Sequence, residues 1–173
     1  MKFLIKKYCC SFRHTFPLLL VLLFIILSRE AIAQEPPPRP ITVTWTNQNL
    51  SFGAFYQGAT GGSVTITSAG SRSASGDIVL LSFGVFSATI FEVTGNPGTV
   101  ISYLKPTSNL IDGSGHSLTI EISDTDPDSP FVLTVNYPTP TQIHVGGILT
   151  VGNQATNPPG IYTGTFDMTF VQE

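Results

Sequence analysis

The chain has 173 residues and a formal net charge of −3, but its charges and its cysteines are unevenly distributed. Five of the eight basic side chains precede residue 34, so residues 34–173 carry only three basic side chains against ten acidic ones, which argues against a nucleic-acid partner. Both cysteines, Cys9 and Cys10, also precede residue 34, which excludes cysteine nucleophiles, zinc–thiolate sites and iron–sulfur clusters from the rest of the chain.

Residues 1–33 have the three parts of a secretory signal peptide. Basic side chains as far as Arg13 precede an apolar run from Phe16 to Leu27, and the small residues of Ala31-Ile32-Ala33 provide a cleavage site before Gln34. The apolar run is shorter than the roughly 20 residues of a transmembrane helix, so an uncleaved anchor is the weaker alternative. We therefore expect export through the Sec route, to the medium, the cell surface or the periplasm, without stable membrane insertion of the mature chain.

The remainder of the chain predicts β-strands after a short spacer. Residues 34–40 are rich in proline, which favours an extended leader. In residues 41–173 apolar residues alternate with polar ones, the pattern of strands with one buried face, and no window shows a helical period. The alternating apolar positions are Ile41, Val43 and Trp45; Val64 and Ile66; Leu118, Ile120 and Ile122; Phe131, Leu133, Val135 and Tyr137; and, in a last strand over 161–171, Tyr162, Phe166, Met168 and Phe170.

Glycine-rich segments between these runs are interpreted as turns. The first of them, residues 53–62, does not match a nucleotide phosphate loop, because Ala59 stands where lysine is required and a strand follows it. We predict a bend after Phe55 and a hairpin-type loop at Gly61-Gly62 instead. About nine or ten short strands separated by such turns predict an antiparallel sandwich or barrel. The other predicted turns are Ser75-Gly76-Asp77, Gly95-Asn96-Pro97-Gly98, Asp112-Gly113-Ser114-Gly115, Gly146-Gly147 and Asn157-Pro158-Pro159-Gly160.

Five segments resemble, in the same order, motifs of the bacterial DUF4402 family of surface domains. The resemblance extends over roughly residues 49–171 and implies a secreted, immunoglobulin-like β-sandwich of bacterial surface material with no established reaction. The first and last motifs are also similar to those of spore-coat-U and pilin-like subunits. Spore-coat-U-like subunits carry cysteine pairs, which this chain lacks after residue 33. The five segments are LSFGAF at 50–55, GGSVTITSAGSRSASGDIVLL at 61–81, FEVTGNPG at 91–98, IHVGGILTV at 143–151 and GIYTGTFDMTF at 160–170.

The acidic segment DTDPD at 124–128 is a candidate calcium site. Its three carboxylates, from Asp124, Asp126 and Asp128, alternate along the chain and supply the oxygen ligands that Ca²⁺ prefers. The segment does not follow the EF-hand pattern, because a serine stands at its sixth position and a valine at its twelfth. The alternative interpretation is a solvated turn between two strands, stiffened by proline. We predict no other cofactor.

No catalytic motif stands out in the sequence. His116 lies in a Gly/Ser turn, His144 lies in a predicted strand, and no serine occupies a G-x-S-x-G motif, so we interpret both histidines as surface residues. Glycoside hydrolysis requires two carboxylates across a cleft, whereas the acids here lie mostly in predicted turns or on exposed strand faces. Trp45 alternates in step with Ile41 and Val43, which predicts a core position and not a platform for sugars.

These features predict an all-β protein: an antiparallel, immunoglobulin-like β-sandwich with Greek-key topology over residues 41–173, behind a signal peptide and a leader. The leading functional hypothesis is a non-enzymatic structural or adhesion subunit of a bacterial surface, self-assembling and pilin-like, whose partners are other copies or other surface subunits. A carbohydrate-binding module is the first alternative, and a secreted hydrolase is the second. We predict no catalytic and no cofactor-binding residues.

The signal-peptide hypothesis predicts that the exported protein begins at Gln34. Cleavage after Ala33 follows from the small residues at positions 31 and 33 and from the apolar run before them. The intact mass of the exported protein measures this directly. A mass that includes residues 1–33 would contradict the prediction.

Overall fold

A computed structural model describes residues 39–173, so the predicted signal peptide and most of the leader lie outside the described residues. Within this range the chain is all-β, with antiparallel pairing throughout and no helix, consistent with a β-sandwich. No helix in the same range is long and apolar enough to cross a membrane. The strands are β1 (Thr42–Trp45), β2 (Ser51–Phe52), β3 (Phe55–Ile66), β4 (Arg72–Leu80), β5 (Phe86–Ser87), β6 (Thr89–Thr94), β7 (Val100–Tyr103), β8 (Thr107–Ile111), β9 (Ser117–Asp126), β10 (Phe131–Val132), β11 (Thr141–Val151) and β12 (Phe170–Gln172).

A seven-stranded sheet forms the larger layer. Its order is β1-β6-β11-β3-β4, with β9 also pairing β11 and β8 pairing β9. A three-stranded sheet, β10-β7-β12, and the short pair β2-β5 complete the fold. Strand β1 pairs β6 of the same chain along residues 42–45, so this first strand belongs to its own domain.

The central strand, β11, has three neighbours because it bends at Gly146. Residues 141–145 pair β6 and residues 147–151 pair β3, while β9 runs beside both parts. A Cβ atom on Gly146 would overlap the carbonyl oxygen of Ile66, and one on Gly147 would lie 2.8 Å from the carbonyl oxygen of Glu121. The predicted turn at Gly146-Gly147 is therefore wrong, because these glycines allow strands to approach closely inside a sheet.

Two other predicted turns also lie inside strands. Gly61-Gly62 belongs to β3, next to the point where its register with β4 shifts, and Ser75-Gly76-Asp77 belongs to β4. Glycine is common both in turns and in irregular strand pairings, and its neighbours along the chain do not distinguish the two. The predicted turns at 95–98 and 112–115 do lie between strands, and 157–160 follows the end of β11.

The core confirms the predicted alternation. Val64 and Ile66 of β3 are fully buried, and Leu118, Ile120 and Ile122 of β9 are at most 3% exposed. These side chains pack with apolar residues of β6, β7 and β11 into one core. Burial of this apolar surface is the main force that holds the sheets together.

The prediction of a core position for Trp45 is wrong. The side chain is 44% exposed, and its indole nitrogen donates a hydrogen bond to the carbonyl oxygen of Gln48. Strand β1 is an edge strand, and Ile41 and Val43 are only partly buried against the core. Alternation thus identified the side of the strand on which Trp45 lies but not the extent of the core.

The predicted strand over residues 131–137 and the predicted terminal strand are both shorter than expected. Strand β10 ends at Val132, and Tyr137 is exposed. The terminal segment is a strand only from Phe170 to Gln172, preceded by one bridge between Thr163 and Ile111. Its alternation is nevertheless correct, since the four apolar side chains pack on the core, namely Tyr162, Phe166, Met168 and Phe170.

Phe170 connects the two larger sheets. Its ring centroid lies 5.7 Å from that of Phe91 on β6 and 5.4 Å from that of Tyr103 on β7. Tyr103 is fixed in turn by its hydroxyl, which donates to the carbonyl oxygen of Pro127 at 2.6 Å. Burial raises the pKa of this hydroxyl, so it remains a donor at neutral pH.

Deletion of residues 166–173 should therefore unfold the domain. It removes β12 and three partly buried side chains. Complete burial of one such side chain stabilises a fold by about 1.5–3 kcal/mol. Because these three are only partly buried, their removal should cost roughly half of the total for three, about 2–5 kcal/mol, in addition to the lost backbone pairing of β12. That is a large part of a typical domain stability of about 5–15 kcal/mol.

Thermal melts of the deleted and complete chains test this expectation. The exposed Thr165→Ser and Thr169→Ser substitutions serve as controls and should change the stability by about 0.5 kcal/mol or less. A cooperative transition of the deleted chain within a few degrees of the complete one would show that the segment is dispensable for folding.

Candidate interaction surface

Arg72, the first residue of β4, holds two segments of the chain together. Its guanidinium donates hydrogen bonds to the carbonyl oxygens of Phe52 at 3.2 Å, Ala54 at 3.3 Å and Leu81 at 2.7 Å. A guanidinium presents five N–H groups in a rigid fork and can serve all three acceptors. Its central carbon also lies 4.5 Å from the centroid of the Phe86 ring, a cation–π contact. Arg72 thus ties the segment after β2 to the loop after β4.

Gly53 makes room for this arginine. Its φ of +67° lies in the left-handed region, and a Cβ atom would overlap a terminal nitrogen of Arg72. Both facts favour glycine at this position. The preceding Phe52 is buried at 6% exposure and lies opposite Phe86 in the β2-β5 pair. The phenylalanine and glycine of LSFGAF are thus explained by packing, without a bound phosphate.

Exposed apolar side chains surround the segments that Arg72 joins. Tyr56 and Val79 lie opposite each other on β3 and β4 and are 55% and 56% exposed. Phe83 and Val85, in the loop after β4, are 66% and 80% exposed. The hydroxyl of Ser51 donates to the carbonyl oxygen of Val85 at 2.7 Å and so helps to fix this loop. We call Tyr56, Val79, Phe83 and Val85 the apolar rim.

Strand β4 itself is an open edge of the seven-stranded sheet. It pairs only with β3, and all residues from 73 to 77 are exposed. An unpaired strand edge presents backbone N–H and C=O groups that another strand can bind. The β4 edge and the apolar rim together form the candidate interaction surface.

A depression of about 290 Å³ lies beside the β3-β4 turn and β5. It is lined by polar and apolar side chains, among them Gln48, Ser68, Phe86 and His144. His144 also lies opposite Asp126 in the β9-β11 pairing. The hydroxyl of Ser68 donates a hydrogen bond to a carboxylate oxygen of Asp124 at 3.2 Å.

The three aspartates of the predicted calcium site take part in different contacts. Asp124 and Asp126 lie in β9, which continues to residue 126, so the predicted turn at this point is shorter than expected. Asp124 accepts a hydrogen bond from the amide of Ser68 at 2.7 Å. Asp128 accepts one from the ammonium group of Lys105 at 2.9 Å and one from the hydroxyl of Thr125 at 2.9 Å.

The structure does not bring these carboxylates together as a ligand set. In residues 39–173 no three acidic, histidine or cysteine side chains are grouped so that they could hold a metal ion. The bonds from Lys105, Thr125 and the amide of Ser129 lower the pKa of Asp128 to about 2, so the carboxylate is ionised and paired at neutral pH. Calcium binding stays a prediction, and no contact of Asp124 or Asp128 requires it.

His116 closes the turn between β8 and β9. Its Nδ1 atom lies 2.7 Å from a carboxylate oxygen of Asp112, which also accepts the amides of Ser114 and His116. Desolvation opposes ionisation of Asp112, but these hydrogen bonds outweigh it and lower the pKa of the carboxyl group. The histidine is half-buried and has a structural role in this turn.

Most of this chain matches one known family of domains. A family model described as a domain of unknown function, DUF4402, matches residues 41–171, well over half of the chain. The chain belongs to the DUF4402 family. Searches of curated proteins and of solved structures found no match. In this DUF4402 domain the matched region contains all of β1 to β11 and the start of β12.

Little in the sequence indicates the candidate interaction surface of the DUF4402 domain. Arg72 has one usable signal, because it is one of only three basic residues after residue 33 and lies among small, uncharged residues. The apolar rim has no such signal. Val79 and Leu80 are adjacent in an apolar run, and only the sheet determines that Leu80 packs on the core and Val79 does not.

We predict that Gly53 and Arg72 are energetically coupled. Arg72→Ala removes three charge-assisted hydrogen bonds and should lower the free energy of unfolding by about 2–4 kcal/mol. This is less than the sum for three such bonds, because water reaches the site and can replace part of them. Gly53→Ala alone should cost backbone strain of about 1–2 kcal/mol plus the overlap with Arg72. In the double variant the guanidinium is gone and cannot overlap the new Cβ atom. The loss of stability in the double variant should therefore be smaller than the summed losses of the two single variants.

Gly70→Ala provides the matched control for this cycle. Gly70 has a similar φ of +79°, but a Cβ atom there would meet nothing within 4 Å. Its cost should therefore add to that of Arg72→Ala. Urea unfolding of all variants measures the free energies. If the cost of Gly53→Ala adds to that of Arg72→Ala as fully as the cost of Gly70→Ala does, the contact between Gly53 and Arg72 is refuted.

Proposed function

We propose that this DUF4402 domain is a non-enzymatic structural or adhesion subunit of a bacterial surface, and that its copies associate with one another after export through the Sec route. The proposal includes an immunoglobulin-like Greek-key arrangement of its strands. The observation that carries it is the apolar rim. Clustered exposed apolar side chains are uncommon on monomeric proteins and mark interaction surfaces.

The distribution of charge supports contact at this surface. Residues 39–173 contain nine acidic and three basic side chains, so two copies repel each other over most of their surfaces. The basic side chains are engaged within the domain: Arg72 bonds three carbonyl groups, Lys105 pairs with Asp128, and Arg39 lies 4.1 Å from the centroid of the Tyr137 ring. The apolar rim carries no charge, so contact there avoids the repulsion between acids.

Size-exclusion chromatography with light scattering tests the proposal on the exported protein. We expect a mass above that of the monomer that rises with protein concentration. It should also rise with salt, because salt screens repulsion between the acidic copies within about 8–10 Å at moderate ionic strength. A monomer at every concentration and salt level would overturn the proposal.

A matched pair of variants locates the association. Phe83→Ser with Val85→Ser removes apolar surface from the rim and should lower the measured mass toward the monomer. Ile161→Ser removes an equally exposed apolar side chain, 85% exposed, outside the rim and should have no effect. Equal effects of both changes would show that the rim has no special role.

A carbohydrate-binding module is the second candidate, and the exposure of Trp45 favours it. A half-exposed indole on an edge strand can stack on a sugar ring, as aromatic side chains with one free face do. Glycan-array binding that is lost on Trp45→Ala and retained in the Phe83/Val85 variant would support this function over self-association.

A further inference from the structure

We propose that the β4 edge pairs with the β4 edge of a second copy, as antiparallel strands related by a two-fold axis. This inference rests on the self-association proposed above and assigns it to one strand. Five consecutive residues of β4, from Ser73 to Asp77, are exposed, and the strand has a partner on one side only. Its outward backbone groups are obligatory hydrogen-bonding groups that a second strand can satisfy.

The other edges of the seven-stranded sheet are less available. Strand β8 is flanked by the terminal segment, since Ile111 and Thr163 exchange two backbone hydrogen bonds of 2.8 and 3.0 Å and Ser108 donates to the carbonyl oxygen of Thr165 at 2.6 Å. Strand β1 has four residues, against nine in β4. The amide just before β1, that of Ile41, already donates to the side chain of Gln172. The β4 edge is therefore the longest uncovered edge of this sheet.

The chemistry of the β4 edge suits a second copy of itself. Ser73, Ala74 and Ser75 are small and uncharged, so two such strands can approach without a steric or electrostatic conflict. Most other surfaces of an acidic chain would bring carboxylates together. Asp77 restricts the register of the pairing. A pairing centred on Asp77 would place two carboxylates directly opposite each other, which is unfavourable.

The regular part of β4 indicates the register. Residues 72–76 pair with residues 62–66 of β3 without interruption, and the register shifts beyond them. The centre of this stretch is Ala74. A two-fold pairing centred there places Ala74 opposite Ala74 of the second copy and Ser73 opposite Ser75, and it leaves Asp77 outside the paired stretch. Five pairs match the usual length of a strand.

The apolar rim lies at the end of this pairing. In the register centred on Ala74, Val79 is level with Ala69 of the second copy, an exposed residue of the turn between β3 and β4. The rim side chain of Val79 is then level with an uncharged turn. The contact is small by the standard of stable complexes, so we expect association that depends on protein concentration.

A cysteine substitution at the two-fold centre tests the proposal. The full chain carrying Cys9→Ser and Cys10→Ser provides a background without thiols, to which Ala74→Cys is added. Directly opposed Cα atoms in an antiparallel pair are about 4.5–5.5 Å apart, within the range of a disulfide. We expect oxidation to link Ala74→Cys chains into dimers at concentrations where scattering detects association.

The matched control is Ser73→Cys on the same exposed strand. In the proposed register the two copies of residue 73 are offset along the strands and separated by roughly 8 Å, beyond the reach of a disulfide. Ser73→Cys alone should therefore cross-link several-fold less than Ala74→Cys. An equal mixture of Ser73→Cys and Ser75→Cys chains should cross-link to about half the extent of Ala74→Cys, because those positions face each other in the half of the dimers that contain one chain of each kind.

The outcomes separate this inference from the proposed function. If the parent chain self-associates but Ala74→Cys cross-links no better than Ser73→Cys, the β4 pairing is wrong while self-association stands. If the parent chain is a monomer throughout, self-association fails and the β4 pairing fails with it. Thermal melts of the cysteine variants, expected within about 0.5 kcal/mol of the parent at exposed positions, verify that they are folded.

Discussion

The close approach of three strands around β11 is the constraint on which the seven-stranded sheet depends. Strand β11 pairs β6 with its first half and β3 with its second half, and β9 runs along its other side. This arrangement requires that no side chain project from Gly146, since a Cβ atom there would overlap the backbone of β3. Because β3 joins the sheet at this point, β4 becomes its outer edge. The β4 edge of the candidate interaction surface thus lies two strands away from β11.

Arg72 has a comparable role for the loops beside that edge. One guanidinium donates hydrogen bonds to three backbone carbonyl groups, those of Phe52, Ala54 and Leu81, and it contacts the Phe86 ring. Buried or partly buried carbonyl groups need such donors. The glycine in LSFGAF is required for the same contact. This family motif therefore describes a packing arrangement, and a shared fold does not by itself define a function.

Acidic side chains are unevenly distributed over the surface of the domain. Acidic side chains lie at the end of β9, in the turn before it and on exposed strand faces, and several are held by local donors such as Lys105 and the amide of Ser68. The apolar rim has no charge, and β4 has two charged residues, Arg72 and Asp77, of which Arg72 is bound to carbonyl groups of its own chain. Association between like-charged copies is favoured where charge is sparse, and this is the physical basis of both proposals.

The sequence by itself determined the strands and most of the core, whereas only the tertiary structure decided where the sheets end. Period-two alternation is a local property, so it correctly identified the buried residues of β3 and β9, and even the half-buried face of the terminal segment. The roles of Gly61, Gly76 and Gly146 depend on which distant strand approaches them, and glycine suits both a turn and a close approach. Trp45 and Val79 show the same limit: alternation assigns each side chain to a face, but its exposure depends on whether another strand or the second layer extends over it. An open edge such as β4 is defined by a missing neighbour, and no pattern within nine residues records that.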